Sequence, residues 1–190
     1  MKLCIDAGHG KDNRKPGVYD PGATAGGVAE ADVALTIALT GQWLCRQRGI
    51  PVYLTRDDDS DSTPVGSRDD KAEAAGCTHF VSIHLNCADG TASGTETYYR
   101  DSADKAWAQK VQAAALAAWG LKDRGLKTEA DSQHKRLAVF DFDGPAALLE
   151  VGFIDHVKDR ALAQDRERRI AFWSALLDSL TGTTKPRTEL

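Results

Sequence analysis

The chain has 190 residues, enough for one domain with a sizeable core and too few for two large catalytic units. Its 24 Lys plus Arg against 28 Asp plus Glu give a formal charge of −4, so no positive field favours binding to nucleic acid or anionic lipid. The hydrophobic content of 42% and charged content of 27% are typical of globular proteins, and no apolar run approaches the roughly 20 residues that span a bilayer.

The first residues and the cysteines predict a cellular compartment. Met1–Asp6 reaches a carboxylate after a few apolar positions, unlike the apolar core of a secretory signal peptide. The four cysteines are widely spaced with no Cys-x-x-Cys pair, so we expect free, mostly buried thiols. These features predict synthesis in the cytoplasm.

Apolar periodicity predicts a chain that alternates strands and helices. In chain order, the predicted elements are a strand at 3–7, a helix at 31–48, a strand at 50–55, a helix at 67–75, strands at 80–84 and 94–99, a helix at 103–119, strands at 137–140 and 146–151, and a helix at 165–180. Residues 11–27 and 120–136 show no apolar period and are predicted to be loops. In the first helix, Leu35, Leu39 and Trp43 form one apolar stripe.

This order predicts a single α/β domain. We expect a twisted, mostly parallel or mixed sheet of about six strands, flanked by helices on both faces. Residues 1–180 should form this domain, and residues 181–190 a polar tail.

Two histidines lie at the ends of predicted strands. His9 follows the first strand between two glycines, which allow the backbone to approach a ligand closely. His84 ends the strand at 80–84 and faces away from His79, because side chains alternate across a strand. Loop carbonyls could instead satisfy His9, but the flanking glycines favour a functional role, and two strand-end histidines favour a metal site.

A catalytic zinc site of the His₂Glu type needs an acidic third ligand and keeps one position for water. Glu30 precedes a predicted helix, where it could instead compensate the helix dipole. Glu150 lies inside the apolar run 146–153. Because an unpaired buried charge is costly, Glu150 should lie near a cation or metal-bound water, or stay protonated.

Seven segments extend this pattern over most of the chain. They are Ile5-Asp6-Ala7-Gly8-His9-Gly10, Asp20-Pro21-Gly22-Ala23, Glu30, Leu54-Thr55-Arg56, Val81-Ser82-Ile83-His84-Leu85-Asn86, Gly94-Thr95-Glu96-Thr97-Tyr98-Tyr99 and Leu149-Glu150-Val151-Gly152-Phe153-Ile154. In this order they resemble the zinc-dependent N-acetylmuramoyl-L-alanine amidases of the amidase-3 type, over roughly residues 2 to 180.

The resemblance implies one Zn²⁺ per chain, held by His9, Glu30 and His84, with Glu150 as the catalytic acid and base. The implied reaction is hydrolysis of the amide bond between N-acetylmuramic acid and L-alanine in peptidoglycan. The loop between Gly10 and Asp20 is longer than the family pattern, so residues 11–19 are expected to form a wall or lid over the site.

The same resemblance indicates where the protein is made and where it acts. We recognise no signal peptide, no occluding helix between His84 and Glu150 and no appended wall-binding domain. This combination resembles a phage or prophage endolysin. We therefore expect a monomer that is made in the cytoplasm and acts in the cell wall after release.

Two other functions stay open at this point. A zinc exopeptidase or other metal amidohydrolase would need a dedicated arginine for a terminal charge, and none is evident. A wall-binding module without turnover would have little use for Glu150.

Two further charged residues, Arg56 and Glu96, lie within the seven segments. Arg56 is interpreted as an ion-paired residue of the acidic loop that follows it. Glu96 either orients a ligand histidine or is a cross-strand surface charge.

Overall fold

The computed structural model of the chain describes residues 1–181. Its strands are β1 Leu3–Ala7, β2 Gly10–Lys11, β3 Tyr19–Asp20, β4 Thr24–Ala25, β5 Val28–Ala29, β6 Val52–Leu54, β7 His79–Asn86, β8 Thr95–Tyr99, β9 Asp123–Thr128 and β10 Ala146–Phe153. Its α-helices are α1 Glu30–Gln47, α2 Arg68–Ala74, α3 Ser102–Trp119, α4 Val157–Gln164 and α5 Arg166–Thr181. The predicted polar tail lies outside the described residues, apart from Thr181 at the end of α5.

Six strands form one mixed sheet in the order β6-β1-β7-β10-β8-β9. The first four are parallel, β8 runs antiparallel to β10, and β9 runs parallel to β8. The remaining strands are two-residue pairs, β2 with β3 and β4 with β5, in the segment between β1 and α1. The prediction of a single α/β domain with a mostly parallel, mixed sheet is confirmed.

Helices cover both faces of the sheet, as predicted. One face buries Ile5, Ile83 and Leu149 in a large apolar cluster beneath α1, α3 and α5. The other face buries Phe80 and Leu148 beneath α2 and a 3₁₀ turn at Ala138–Asp141. The second cluster is smaller, which leaves room for a polar site at one end of that face.

The apolar stripe of α1 is not the face that packs on the sheet. Leu39 and Trp43 are 37% and 48% exposed, whereas Val33 and Ile37 beside them are buried. The packing face also uses alanines and Gly41, whose small side chains let α1 approach α5 closely. Small residues contribute little to an apolar pattern, so the buried face is displaced from the predicted stripe, although Leu35 of that stripe packs against the core.

Three elements differ from the prediction. Residues 137–140 do not form a strand, and the last strand of the sheet is instead β9, a polar edge strand with no buried residue. Charged edge strands prevent edge-to-edge association, and they lack the alternating pattern that identifies a half-buried strand. Helix α4 was also missed, because it is short and polar.

The tight contact at Gly41 yields a stability prediction. A Cβ added there would lie 2.4 Å from Cε2 of the buried Trp173, whose Nε1 donates a hydrogen bond to Ile37 O at 2.7 Å. Gly41→Ala should therefore lower the free energy of unfolding by about 1–3 kcal/mol in urea titrations, despite the higher helix propensity of alanine. In Gly66→Ala, the added Cβ meets nothing within 4 Å, so this control should change stability little. Equal midpoints for the two variants would contradict the close packing.

Candidate metal centre and active site

Three side chains from separate parts of the chain meet at one edge of the sheet. His9 lies in the loop after β1, Glu30 is the first residue of α1, and His84 lies on β7. Glu30 Oε1 is 3.0 Å from His9 Nε2 and 2.9 Å from His84 Nδ1. The ligand atoms all lie within 4.8 Å of one another, close enough to hold a metal ion. These separations approach the roughly 3.3 Å between ligands bonded at about 2.0–2.1 Å in a tetrahedral site, so the donor set fits such a metal.

Glycines make room for these ligands. A Cβ on Gly8 would lie 2.4 Å from His84 Cε1, and one on Gly22 would lie 2.7 Å from Glu30 Oε2. His9 itself has a positive φ of 62°, an uncommon conformation for a residue with a side chain. Gly8, Gly22 and the positive φ of His9 therefore allow the backbone to bring these side chains together.

A carboxylate behind His9 orients its ring. His9 Nδ1 lies 3.2 Å from Asp20 Oδ2, so Nδ1–H can donate to Asp20 while Nε2 faces Glu30. Asp20 is fixed in turn by Asn13 Nδ2 at 2.7 Å and by the Gly22 amide at 2.9 Å. The segment Asp20-Pro21-Gly22-Ala23 carries no local pattern that indicates this role for the aspartate.

Glu30 is held by backbone as well as by the histidines. Its Oε1 accepts from the Leu85 amide at 3.0 Å, and its Oε2 accepts from the Ala23 amide at 3.0 Å. Burial alone would raise the pKa of Glu30, but the hydrogen bonds and charges of His84 and His9 lower it far below its ordinary value. Conversely, burial alone would lower the pKa of His9, but Glu30 and Asp20 raise it. Glu30 is thus ionised, and its carboxylate is turned toward the histidines.

Glu150 lies beside this cluster. On β10 it pairs in register with His84 on one side and with Glu96 on the other. Its Oε2 is buried and has no hydrogen-bond partner within the part of the chain that the structure describes. Burial raises the pKa of Glu150 well above its ordinary value, and the charges of Glu30 and Glu96 raise it further. A half-buried carboxyl with one buried, unpartnered oxygen and a raised pKa is typical of a group that transfers protons.

The four residues line one cavity of about 610 Å³. Asn13 and Arg14 line it from the loop of residues 11–19, and residues 132–134 and 137–139 line it from the segment before β10. Tyr98 on β8 completes the lining beside Glu150. The long loop is thus part of the cavity wall.

A buried ion pair supports the loop that carries His9. Arg68 Nη1 lies 2.5 Å from Asp6 Oδ1, and both side chains are almost fully buried. Arg68 also donates to the carbonyl oxygens of Ala7 at 3.0 Å and His9 at 2.7 Å. Burial raises the pKa of Asp6, but Arg68 and hydrogen bonds from Ser82 and Thr55 lower it below its ordinary value. This pair was not identified from the sequence.

Two interpretations of charged residues need correction. Arg56 is 1% exposed, and besides Asp59 it donates to the carbonyl oxygens of Ala7, Gly8 and Ala31, so it braces backbone. Glu96 is 4% exposed and neither orients a ligand histidine nor lies on the surface. It accepts hydrogen bonds from Asn86, Tyr98 and Arg124. Both residues lie in the buried framework around the site.

A second group of carboxylates could also approach a metal. Asp57, Asp58 and Asp61 lie close together in a loop in which the first two are exposed. Within it, Asp58 accepts hydrogen bonds from Ser60 and Asp61 accepts one from the Asp57 amide. The carboxylates of this loop thus make hydrogen bonds within the loop itself.

Comparisons with known proteins agree with this geometry. The family model described as N-acetylmuramoyl-L-alanine amidase matches residues 3–181. The catalytic domain of CwlV, an N-acetylmuramoyl-L-alanine amidase from Bacillus (Paenibacillus) polymyxa var. colistinus, superposes with a TM-score of 0.81. It is 31% identical to the chain, and the match covers 95% of this chain and 96% of that one.

Two curated relatives are longer than the matched region. The sporulation-specific N-acetylmuramoyl-L-alanine amidase of Bacillus subtilis (strain 168) is 32% identical over 164 residues, which are 84% of this chain and 58% of the relative. The endolysin of Bacillus phage SPP1 is 33% identical over 169 residues, which are 84% of this chain and 57% of the relative. The chain therefore spans a little over half the length of these two proteins.

The buried Asp6–Arg68 pair generates a prediction about pH. Arg68→Met should cost about 3–5 kcal/mol of unfolding free energy at pH 7, because it leaves the Asp6 charge buried without its partner. In the wild type, the low pKa of Asp6 stabilises the fold above the unfolded value of about 3.9, and this contribution is lost as the pH falls through the folded value. In the variant, the pKa of Asp6 should instead be raised, so acidification neutralises the unpaired charge.

Urea titrations at pH 7 and pH 4.5 should therefore show a smaller difference between the two proteins at the lower pH. Arg166→Met removes an arginine whose side chain is 71% exposed, and this control should be nearly neutral. A deficit for Arg68→Met that is independent of pH would contradict the assignment.

Proposed function

The chain belongs to the N-acetylmuramoyl-L-alanine amidase family, and we propose that it hydrolyses the amide bond between the lactyl group of N-acetylmuramic acid and L-alanine in peptidoglycan. The observation that carries the proposal is the unpartnered carboxyl of Glu150 beside the cluster of His9, Glu30 and His84, in one cavity. A proton carrier beside a metal site is one established arrangement for the hydrolysis of amides.

We propose that His9, Glu30 and His84 hold one Zn²⁺. Two imidazole nitrogens and one carboxylate oxygen are an established donor set for catalytic zinc. When bound, zinc supplies a Lewis acid that polarises the scissile carbonyl, and a positive charge that lowers the pKa of water. Asp20 would keep His9 in the tautomer whose Nε2 lone pair is free for the metal.

Glu150 acts as the proton carrier in this mechanism. It accepts a proton from the attacking water, whose oxygen forms a bond to the carbonyl carbon. The carbon–nitrogen bond then breaks, and Glu150 returns the proton to the leaving amine of L-alanine. The products are a lactyl carboxylate on the glycan and a stem peptide with a free amine. A bound cation would offset the carboxylate charges that raise the pKa of Glu150, which would leave Glu150 ionised to accept the first proton and to hold it between these two steps.

We propose the cell wall as the place of action, because the matched relatives include a sporulation amidase and an endolysin. None of the helices within residues 1–181 has the length and apolar character needed to cross a membrane. The assignment to a phage or prophage and the monomeric state stay predictions.

Replacement of the proton carrier should separate catalysis from metal binding. Glu150→Gln keeps the size of the side chain but cannot accept a proton, so the rate of stem-peptide release should fall by about 10²–10⁴-fold. Zinc content and the urea midpoint should stay close to wild type. Glu167→Gln, at a side chain that is 78% exposed, is the matched control and should retain full activity. Undiminished release by Glu150→Gln would overturn the mechanism.

The reaction itself is tested by the products from purified peptidoglycan. Mass spectrometry should detect free stem peptides that begin with an unblocked L-alanine amine. Treatment with a chelator should abolish their release, and added Zn²⁺ should restore it. Intact lactyl–alanine bonds after incubation with folded, zinc-loaded protein would mean that this chain has another substrate.

A further inference from the structure

Arg14 is the exposed cation of the catalytic cavity. It lies on the loop of residues 11–19, lines the cavity, and its side chain is 65% exposed. Its Nε is 3.7 Å from Asp20 Oδ2, the carboxylate that also contacts His9. Within residues 1–181, its guanidinium has no closer polar partner, so its paired N–H groups are free to bind an anion.

The other arginine that lines the cavity is already committed. Arg68 is 2% exposed and donates to Asp6, to Asn13 Oδ1 and to several backbone carbonyls. No lysine is found among the cavity-lining residues of the described part of the chain. Among the described residues that line the cavity, Arg14 is therefore the arginine or lysine that is free to bind an anionic group of a substrate.

The loop holds Arg14 at the cavity rim. The preceding residue, Asn13, is 7% exposed and donates to Asp20 at 2.7 Å. Its Oδ1 accepts from Arg68 at 3.0 Å, and its backbone carbonyl accepts from the Val65 amide at 2.9 Å. Arg14 thus extends from an anchored residue, and less entropy is lost when it binds than for a side chain on an unrestrained loop.

We propose that Arg14 binds a free carboxylate on the residue that follows L-alanine in the stem peptide, and so selects acidic stems over amidated ones. This inference rests on the proposed function. When the second residue is glutamate joined through its side chain, its α-carboxyl is free as an acid or blocked as an amide. An arginine fork binds a carboxylate with two charge-assisted hydrogen bonds, whereas an amide offers one acceptor and no charge.

The position of Arg14 agrees with this assignment. Arg14 and His9 both contact the carboxylate of Asp20. The Nε2 atom of His9 faces the site where the scissile amide would react. The α-carbon of the second residue follows that of L-alanine by about 3.8 Å, so its carboxylate would lie beyond the reacting centre, in the cavity that Arg14 also lines.

The test compares two muropeptides that differ in one group, N-acetylmuramoyl-L-Ala-γ-D-Glu-L-Lys and the same compound with isoglutamine in place of glutamate. Wild type should favour the acid by about tenfold in kcat/KM. Arg14→Ala should remove this preference by lowering kcat/KM for the acid alone, mainly through KM. Arg14→Lys should keep part of the preference, and Arg14→Glu should reverse it.

Lys15→Ala is the matched control, because Lys15 is an exposed cation on the same loop that does not line the cavity. This variant should keep the wild-type preference, and all variants should keep the wild-type zinc content and urea midpoint. Equal cleavage of both muropeptides by wild type, or an unchanged preference in Arg14→Ala, would overturn the role of Arg14 and leave the amidase function intact. Failure to cleave either compound, together with no release from whole peptidoglycan, would instead overturn the proposed function.

Discussion

The buried pair of Asp6 and Arg68 is the interaction on which the active site depends. The loop after β1 leaves the sheet and carries His9 at a positive φ, so its carbonyl groups need partners other than a neighbouring strand. Arg68 supplies a partner at His9 and Arg56 supplies one at Gly8, and both also donate to the carbonyl oxygen of Ala7 at the end of β1. Two buried guanidinium groups thus replace strand pairing here, and Asp6 neutralises one of them. Because both are fixed by several hydrogen bonds, His9 is held in place before any ligand binds.

The same face of the sheet carries both packing and chemistry, at opposite ends of its strands. Along β7 the inward side chains change from Phe80 to Ser82 and then to His84, and along β10 from Leu148 to Glu150. Because β7 and β10 are parallel and paired in register, their polar residues form one row at the carboxyl ends of the central strands. Substitutions at the apolar end should act on stability, and substitutions in the polar row on the reaction.

The sequence predicted the central features of the site, because each stands out locally. His9 and His84 terminate apolar runs, and Glu150 interrupts one. The partners that hold these residues are not visible in this way. Arg68 contacts Asp6 across 62 positions of the chain, and Asp20 and Arg14 lie in a segment without periodicity, where neighbours are set by tertiary contacts alone. Edge strand β9 was missed for a related reason: it buries no residue, so its sequence need not alternate. Local patterns therefore identified the residues that the structure brings together and most of the core, and failed where distant partners decide a residue's contacts.

The position of β10 has a consequence for biosynthesis. This strand is the last of the sheet to be translated, yet it lies between β7 and β8 and joins the two halves of the sheet. A nascent chain that ends before β10 has neither Glu150 nor a continuous sheet, although His9, Glu30 and His84 have already been made. Under the proposed function, the ability to cut a cell wall would emerge only when nearly the whole domain has left the ribosome. Incomplete translation products and fragments from early proteolysis should be harmless to the cell that makes them.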